Sequence, residues 1–142
     1  MHQDWRTFDV PRGRYRITPE LDDRLRRIAH APARGAAPHA HPILMFVAAL
    51  GGMGLSIRAL SDRLGLAFLK GPVLAGCKLT SHARLCVGQE YDVTARVTRL
   101  DRKPSRRFGA ADHMTLSLRL AQGDQPFADV DLAMVFPAGA AS

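Results

Sequence analysis

A chain of 142 residues fits one domain, 1–142, with enough length to bury a real core. Hydrophobic residues at 46% and charged residues at 23% are ordinary globular values, which excludes a disordered or fibrous class. The formal charge of +7 favours a polyanionic partner. Nucleic acid, an anionic membrane or a phosphorylated cofactor such as coenzyme A would each qualify. The cysteines, Cys77 and Cys86, form neither a metal spacing nor a disulfide framework, and their apolar surroundings read as those of buried free thiols. The first residues, MHQDWRTFDV, lack the apolar run of a signal peptide, so a cytoplasmic location is the expectation.

Residues 1–14 are polar, with Pro11 and Gly13 as breakers, and read as an irregular arm that Trp5 and Phe8 pin to the domain. A short strand follows over Tyr15–Thr18. Thr18-Pro19-Glu20 then reads as a helix start, with Thr18 as N-cap and Pro19 at the first helical position. Leu21, Leu25 and Ile28 recur at helical spacing, which places Asp22, Asp23, Arg24, Arg26 and Arg27 on the outer face. His30–Ala40 is a loop by its proline, glycine and alanine content.

His41–Leu60, HPILMFVAALGGMGLSIRAL, is the stretch the rest is built to enclose. It carries no charge between Pro42 and Ile57 and is apolar on every side of a helical projection, so it reads as a helix buried all round. Arg58 interrupts the run before the roughly 20 residues a membrane span needs. Gly51, Gly52 and Gly54 weaken a helix by about 1 kcal/mol each, a cost that close approach of another backbone or of a ligand would recover. The helical pattern continues through Arg63 and Leu64 and breaks at Gly65.

The period then changes to two. Pro72–Arg84 supplies a strand interrupted by Gly76. Tyr91, Val93, Ala95 and Val97 alternate with polar residues, as do Met114, Leu116, Leu118 and Leu120. Ala128, Val130, Leu132, Met134 and Phe136 keep the same period, and Ala121–Pro126 reads as a hairpin turn. Half-buried antiparallel strands after helices make an α+β layout, a curved sheet covering one helix.

A long apolar helix followed by GPVLAGCKLTSHARLCVGQEYDVTARVTRLDRK resembles the hot-dog fold, in its MaoC-like hydratase and dehydratase branch. ARLCVGQEYDVTARVTRL carries the strongest local likeness, and FADVDLAMVFP is similar to the closing strand. The resemblance covers Tyr15–Pro137. It implies interconversion of 3-hydroxyacyl and enoyl thioesters of coenzyme A or acyl carrier protein, in fatty acid or polyketide metabolism. It implies no cofactor beyond the coenzyme A or phosphopantetheine that the substrate carries. The partner it implies is a second hot-dog subunit, in a homodimer or heterodimer, and neither nucleic acid nor a membrane. Its catalytic signature is an Asp and a His separated by four residues before the helix, with backbone N–H groups near a helix start polarising the carbonyl. Here no Asp or Glu has a His five positions later, and Ala29–Ser61 holds no acidic residue.

His39 and His41 occupy the position of that catalytic loop, and His41 at the helix start is the candidate base. Asp112, beside His113, is an acid/base candidate that would pair with His41 across the fold. Two histidines without a third ligand nearby make no metal site. Arg99–Arg107 reads as a basic loop between strands, whose Arg102, Lys103, Arg106 and Arg107 could bind carrier phosphates. Gly51 and Gly52 are candidates for lining the acyl site. A hydratase or dehydratase leads, with a non-catalytic thioester-binding subunit supporting a catalytic partner as the rival. A thioesterase ranks lower, because the helix lacks a carboxylate to activate water.

Overall fold

The computed structural model describes residues 4–107 and 109–137; residues 1–3 of the expected arm lie outside them. The elements are β1 (Gly13–Arg16), α1 (Pro19–Ile28), α2 (Leu44–Gly51), α3 (Ile57–Leu64), a single 3-10 turn (Phe68–Lys70), β2 (Val73–Ser81), β3 (Glu90–Ser105), β4 (Gly109–Gln122) and β5 (Gln125–Pro137). The strands form one five-stranded antiparallel sheet in the order β1-β3-β4-β5-β2. The alternating residues all face one side. Val93, Leu116, Leu118, Leu120, Val130 and Leu132 are buried, and α2 lies against β1, β4 and β5. Gly123, at φ 56°, turns β4 into β5 with Gln122 opposite Gln125.

Thr18 caps α1 as its sequence implies, its Oγ1 accepting the Leu21 N–H at 3.1 Å. The apolar stretch is not one helix to Leu60. It makes α2, stops at Gly52, and restarts at α3, where Ser56 Oγ accepts the Ala59 N–H at 3.0 Å. Two glycines and an N-cap serine permit this break, and the chain that crosses there fixes it. Nor is α2 buried all round: Leu44, Met45, Ala48 and Ala49 are buried, while Phe46, Val47 and Leu50 are half-buried. The α3 helix ends at Gly65 in the left-handed conformation, as its sequence implies.

The α2–α3 break is where β1 and the arm cross. A Cβ on Gly13 would fall on the Gly52 carbonyl, and one on Gly54 would fall on the Pro11 carbonyl. Phe8 is buried and Trp5 packs against the core. Three further expectations are corrected. Cys77 is exposed and Cys86 half-buried, because Cys77 sits on edge strand β2. The Arg99–Arg107 segment is mostly strand: β3 runs to Ser105, leaving Arg106 and Arg107 in the turn. Asp22 is fully buried and not on the outer face of α1.

Candidate functional site

The site begins with Asp22. Its Oδ2 accepts Arg26 Nε at 2.8 Å, one turn on in α1, and Arg34 Nη1 at 2.7 Å from the following loop. Its Oδ1 accepts the backbone N–H of His41 at 2.7 Å. Arg26 also donates to the carbonyls of Pro32 and His39, at 3.0 and 3.3 Å. One buried carboxylate and two guanidinium groups thus hold the loop from 30 to 41 at both ends. Burial pushes the Asp22 carboxyl up, but the His41 N–H and the two arginines together outweigh it and keep the group below the usual carboxylate range.

His41 is fixed at ring and main chain. Its Nδ1 accepts the Ile43 N–H at 3.1 Å. The next N–H groups are also committed: Leu44 to the His41 carbonyl, Met45 to Pro42 and Phe46 to Ile43, at 2.9, 3.0 and 3.1 Å. The helix start therefore presents no free backbone donor through Phe46, unlike the carbonyl-polarising start that the resemblance implies. Beside His41 lies a cleft of about 190 Å³. Ala40, Pro42 and Met45 form one wall, and Ser81, Arg84 and Leu85 the other. Among the described residues no carboxylate lines it.

The wall that carries Ser81 and Arg84 is tied down from outside the cleft. The N–H groups of His82 and Ala83 both donate to the Phe127 carbonyl, at 2.9 and 3.1 Å. His82 Nε2 lies 2.7 Å from Asp129 Oδ2, and Arg119 grips Asp129 through two bonds of 2.7 and 3.0 Å. Arg119 above all holds the Asp129 carboxyl down at about 2, with His82 assisting against burial. A larger trough of about 580 Å³ lies over Thr94, Ser117 and Asp131, but it is an open furrow on the polar face of the sheet.

The other candidates lie elsewhere. His39 bridges to Cys86 in a short antiparallel contact, its Nδ1 3.8 Å from the sulfur, while their neighbours Ala40 and Leu85 line the cleft. Tyr91 OH accepts the Cys86 N–H at 2.8 Å, and burial pushes the tyrosine hydroxyl up. Gly51 and Gly52 belong to the packing seam: a Cβ on Gly51 would meet the Tyr15 ring, and one on Gly52 would meet Val93 and Tyr15. Asp112 and His41 do not meet within one chain. Asp112 pairs with Phe136 of β5, whereas cleft residue Ser81 pairs with Ala128. At about 3.3 Å per residue that separates them by roughly 25 Å along the strand. The Asp112 carboxylate is instead clamped by Arg102, through bonds of 2.8 and 3.0 Å. Lys103 pairs with Ala111 beside it, so the basic hairpin shares the far end of the sheet.

Asp22, Arg34, Ser81 and Arg84 escaped the sequence reading. Asp22 left one signal, an acidic residue inside a first turn with Arg four positions on, but that pattern is usually a solvated pair. Among the described residues no group of three ligands could hold a metal ion, and no helix is long and apolar enough to cross a membrane.

No family model and no curated protein matches the sequence. Solved structures do match in shape. One is the ChsH1–ChsH2 complex of Mycobacterium tuberculosis, at 16% identity and TM-score 0.67, over 92% of this chain and 85% of that one. The chain has the hot-dog fold. Another match is the C-terminally truncated HadBC (3R)-hydroxyacyl-ACP dehydratase complex, also from M. tuberculosis, at 13% identity and TM-score 0.60, covering 95% and 99% of the two chains. A MaoC-like dehydratase from Rhodospirillum rubrum matches at 17% identity and TM-score 0.56, over 92% of this hot-dog chain and 93% of that one.

Proposed function

We propose that this chain is an acyl-thioester-binding hot-dog subunit of the hydratase/dehydratase kind, which works with a second hot-dog subunit that supplies the acid/base carboxylate. The observation that carries the reading is the His41 cleft: an imidazole and a guanidinium over an apolar floor, with no carboxylate on either wall among the described residues. Hydration or dehydration of an enoyl thioester moves protons, and one imidazole whose Nδ1 is committed to Ile43 does not replace the usual Asp–His pair. A thioesterase is less well supported, because activating water would also call for a carboxylate in this cleft.

The need for a partner has a second support. Pockets that enclose a drug-sized ligand hold about 300–1,000 Å³, so a cleft of about 190 Å³ encloses only part of an acyl thioester. One cleft wall is the end of β2, a sheet edge that exposes Val73, Leu74 and Leu79 by 46%, 51% and 38%. An unpaired edge with apolar side chains invites another strand. Two of the structures similar to this chain are complexes named for two components, which favours the same arrangement here. Arg84, at the cleft, is the cation we assign to the carrier phosphates of coenzyme A or phosphopantetheine.

Calorimetry with crotonyl-CoA, followed by a spectrophotometric hydration assay, tests the proposal. The purified chain should bind crotonyl-CoA and leave it unhydrated, with turnover appearing when a hot-dog subunit carrying the Asp–His pair is added. Hydration by this chain alone, lost in His41→Ala, would replace the proposal with a stand-alone lyase. Absence of binding would remove the thioester reading.

A further inference from the structure

We infer that His41 meets its ligand as a hydrogen-bond donor, through Nε2–H to the thioester carbonyl oxygen, and not as a base. The ligand named here rests on the thioester reading above. Because Nδ1 accepts the Ile43 N–H, it holds no proton in this conformation. A neutral imidazole then carries its proton on Nε2, the nitrogen left to face a ligand in the cleft. A flip of the ring would put Cδ2, not a nitrogen, against the Ile43 N–H, and the 2.7 Å bond from His41 N–H to buried Asp22 fixes the main chain from which the ring projects.

The surrounding donors point the same way. A carbonyl bound at the start of α2 would ordinarily be polarised by free N–H groups, but His41, Ile43, Leu44, Met45 and Phe46 have all committed theirs. Nε2–H is thus the donor that this end of the cleft retains. Ala40, Met45 and Leu85 beside it carry no side-chain acceptor and Ser81 brings the one hydroxyl among the lining residues, so a ligand oxygen entering the cleft can take this hydrogen bond. For His41 to act as a base at Nε2, the ring would have to give up the Ile43 bond and move its proton to Nδ1. A preorganised neutral donor polarises a carbonyl without that rearrangement. The structure therefore assigns His41 to the carbonyl and leaves proton abstraction to another group.

The experiment has a ligand-free arm and a ligand arm. Long-range ¹H–¹⁵N spectra of the ¹⁵N-labelled protein should show His41 protonated at Nε2 and bare at Nδ1; the opposite tautomer overturns the inference. Crotonyl-CoA labelled with ¹³C at the carbonyl should shift downfield on binding. His41→Gln, whose amide N–H reaches close to the Nε2 position, should keep most of that shift. His41→Asn, which keeps an acceptor for the Ile43 N–H but is too short to reach the ligand, should abolish it and weaken binding about 3–10-fold. An unchanged carbonyl shift in His41→Asn overturns the assignment. So does a perturbation of His41 by coenzyme A or crotonate alone that equals the one given by crotonyl-CoA. If His41→Asn melts early, the shift in wild type against His41→Gln and the ligand-free tautomer still decide. If no thioester binds, the functional reading and the named ligand fall together, while the ligand-free spectrum still separates donor from base.

Discussion

Gly52→Ala tests the seam on which α2, β1 and the arm converge. Gly52 has φ −98°, a conformation alanine adopts freely, so the substitution by itself should stabilise by about 0.4–1 kcal/mol through the unfolded chain. The space decides against it. The new methyl would lie 2.5 Å from Val93 Cγ2, 2.9 Å from the Ala48 carbonyl oxygen and 2.9 Å from Tyr15 Cβ. Carbon pairs sit best at about 3.5–4.0 Å, so several contacts must open together. Two of the three atoms are backbone or Cβ, and Val93 is wholly buried in β3, so relief requires β1 to move. Overpacking of this kind costs about 1–3 kcal/mol. The net loss should be roughly 1–2 kcal/mol, or about 3–8 °C in Tm for a domain of this size. Gly76→Ala is the control, because its Cβ would meet only Ala133 at 3.8 Å, and it should be neutral or slightly stabilising. Thermal melts followed by circular dichroism read both. A Gly52→Ala melt at or above wild type would show the seam to be open and refute the close-approach argument; Gly52→Leu should then fold as well.

Removing the buried Asp22 carboxylate strands two guanidinium groups, so Asp22→Ala should cost about 3–5 kcal/mol in urea melts. Because the folded carboxyl lies below its unfolded value, its contribution is complete above about pH 4 and lost as the pH falls through the folded value. Wild-type urea midpoints taken down to about pH 3 should therefore fall more steeply than those of Asp22→Asn, and equal slopes would remove the linkage. Arg84→Ala should weaken crotonyl-CoA binding several-fold and flatten its salt dependence, whereas Lys103→Glu with Arg106→Glu should leave the affinity near wild type, as calorimetry at two salt concentrations would show. Replacing Leu74 and Leu79 by lysine on edge strand β2 should convert an oligomer to a monomer in light scattering, and a wild type that is already monomeric at micromolar concentration would end the edge-pairing proposal.

The strands, the start of α1 and the end of α3 were legible because each is a local device. Period-two alternation reports one buried face, Thr18-Pro19 reports a first turn, and Gly65 reports a left-handed stop. The apolar stretch from His41 was equally plain as the segment to be covered, and so was the tight approach implied by its glycines. Its interruption was harder to see, since the apolar pattern continues through Met53 and Leu55 while the break depends on β1 and the arm crossing there. The site was decided almost wholly by long-range pairing. Asp22 counts as a surface residue until the loop returns Arg34 and the His41 N–H to it, and only that return makes its burial affordable. The strand register carries Asp112 to Arg102 and away from His41, although both had looked equally free to meet. The sequence could nominate the imidazole of His41, but which nitrogen bears the proton depends on where the Ile43 N–H points once the chain is folded.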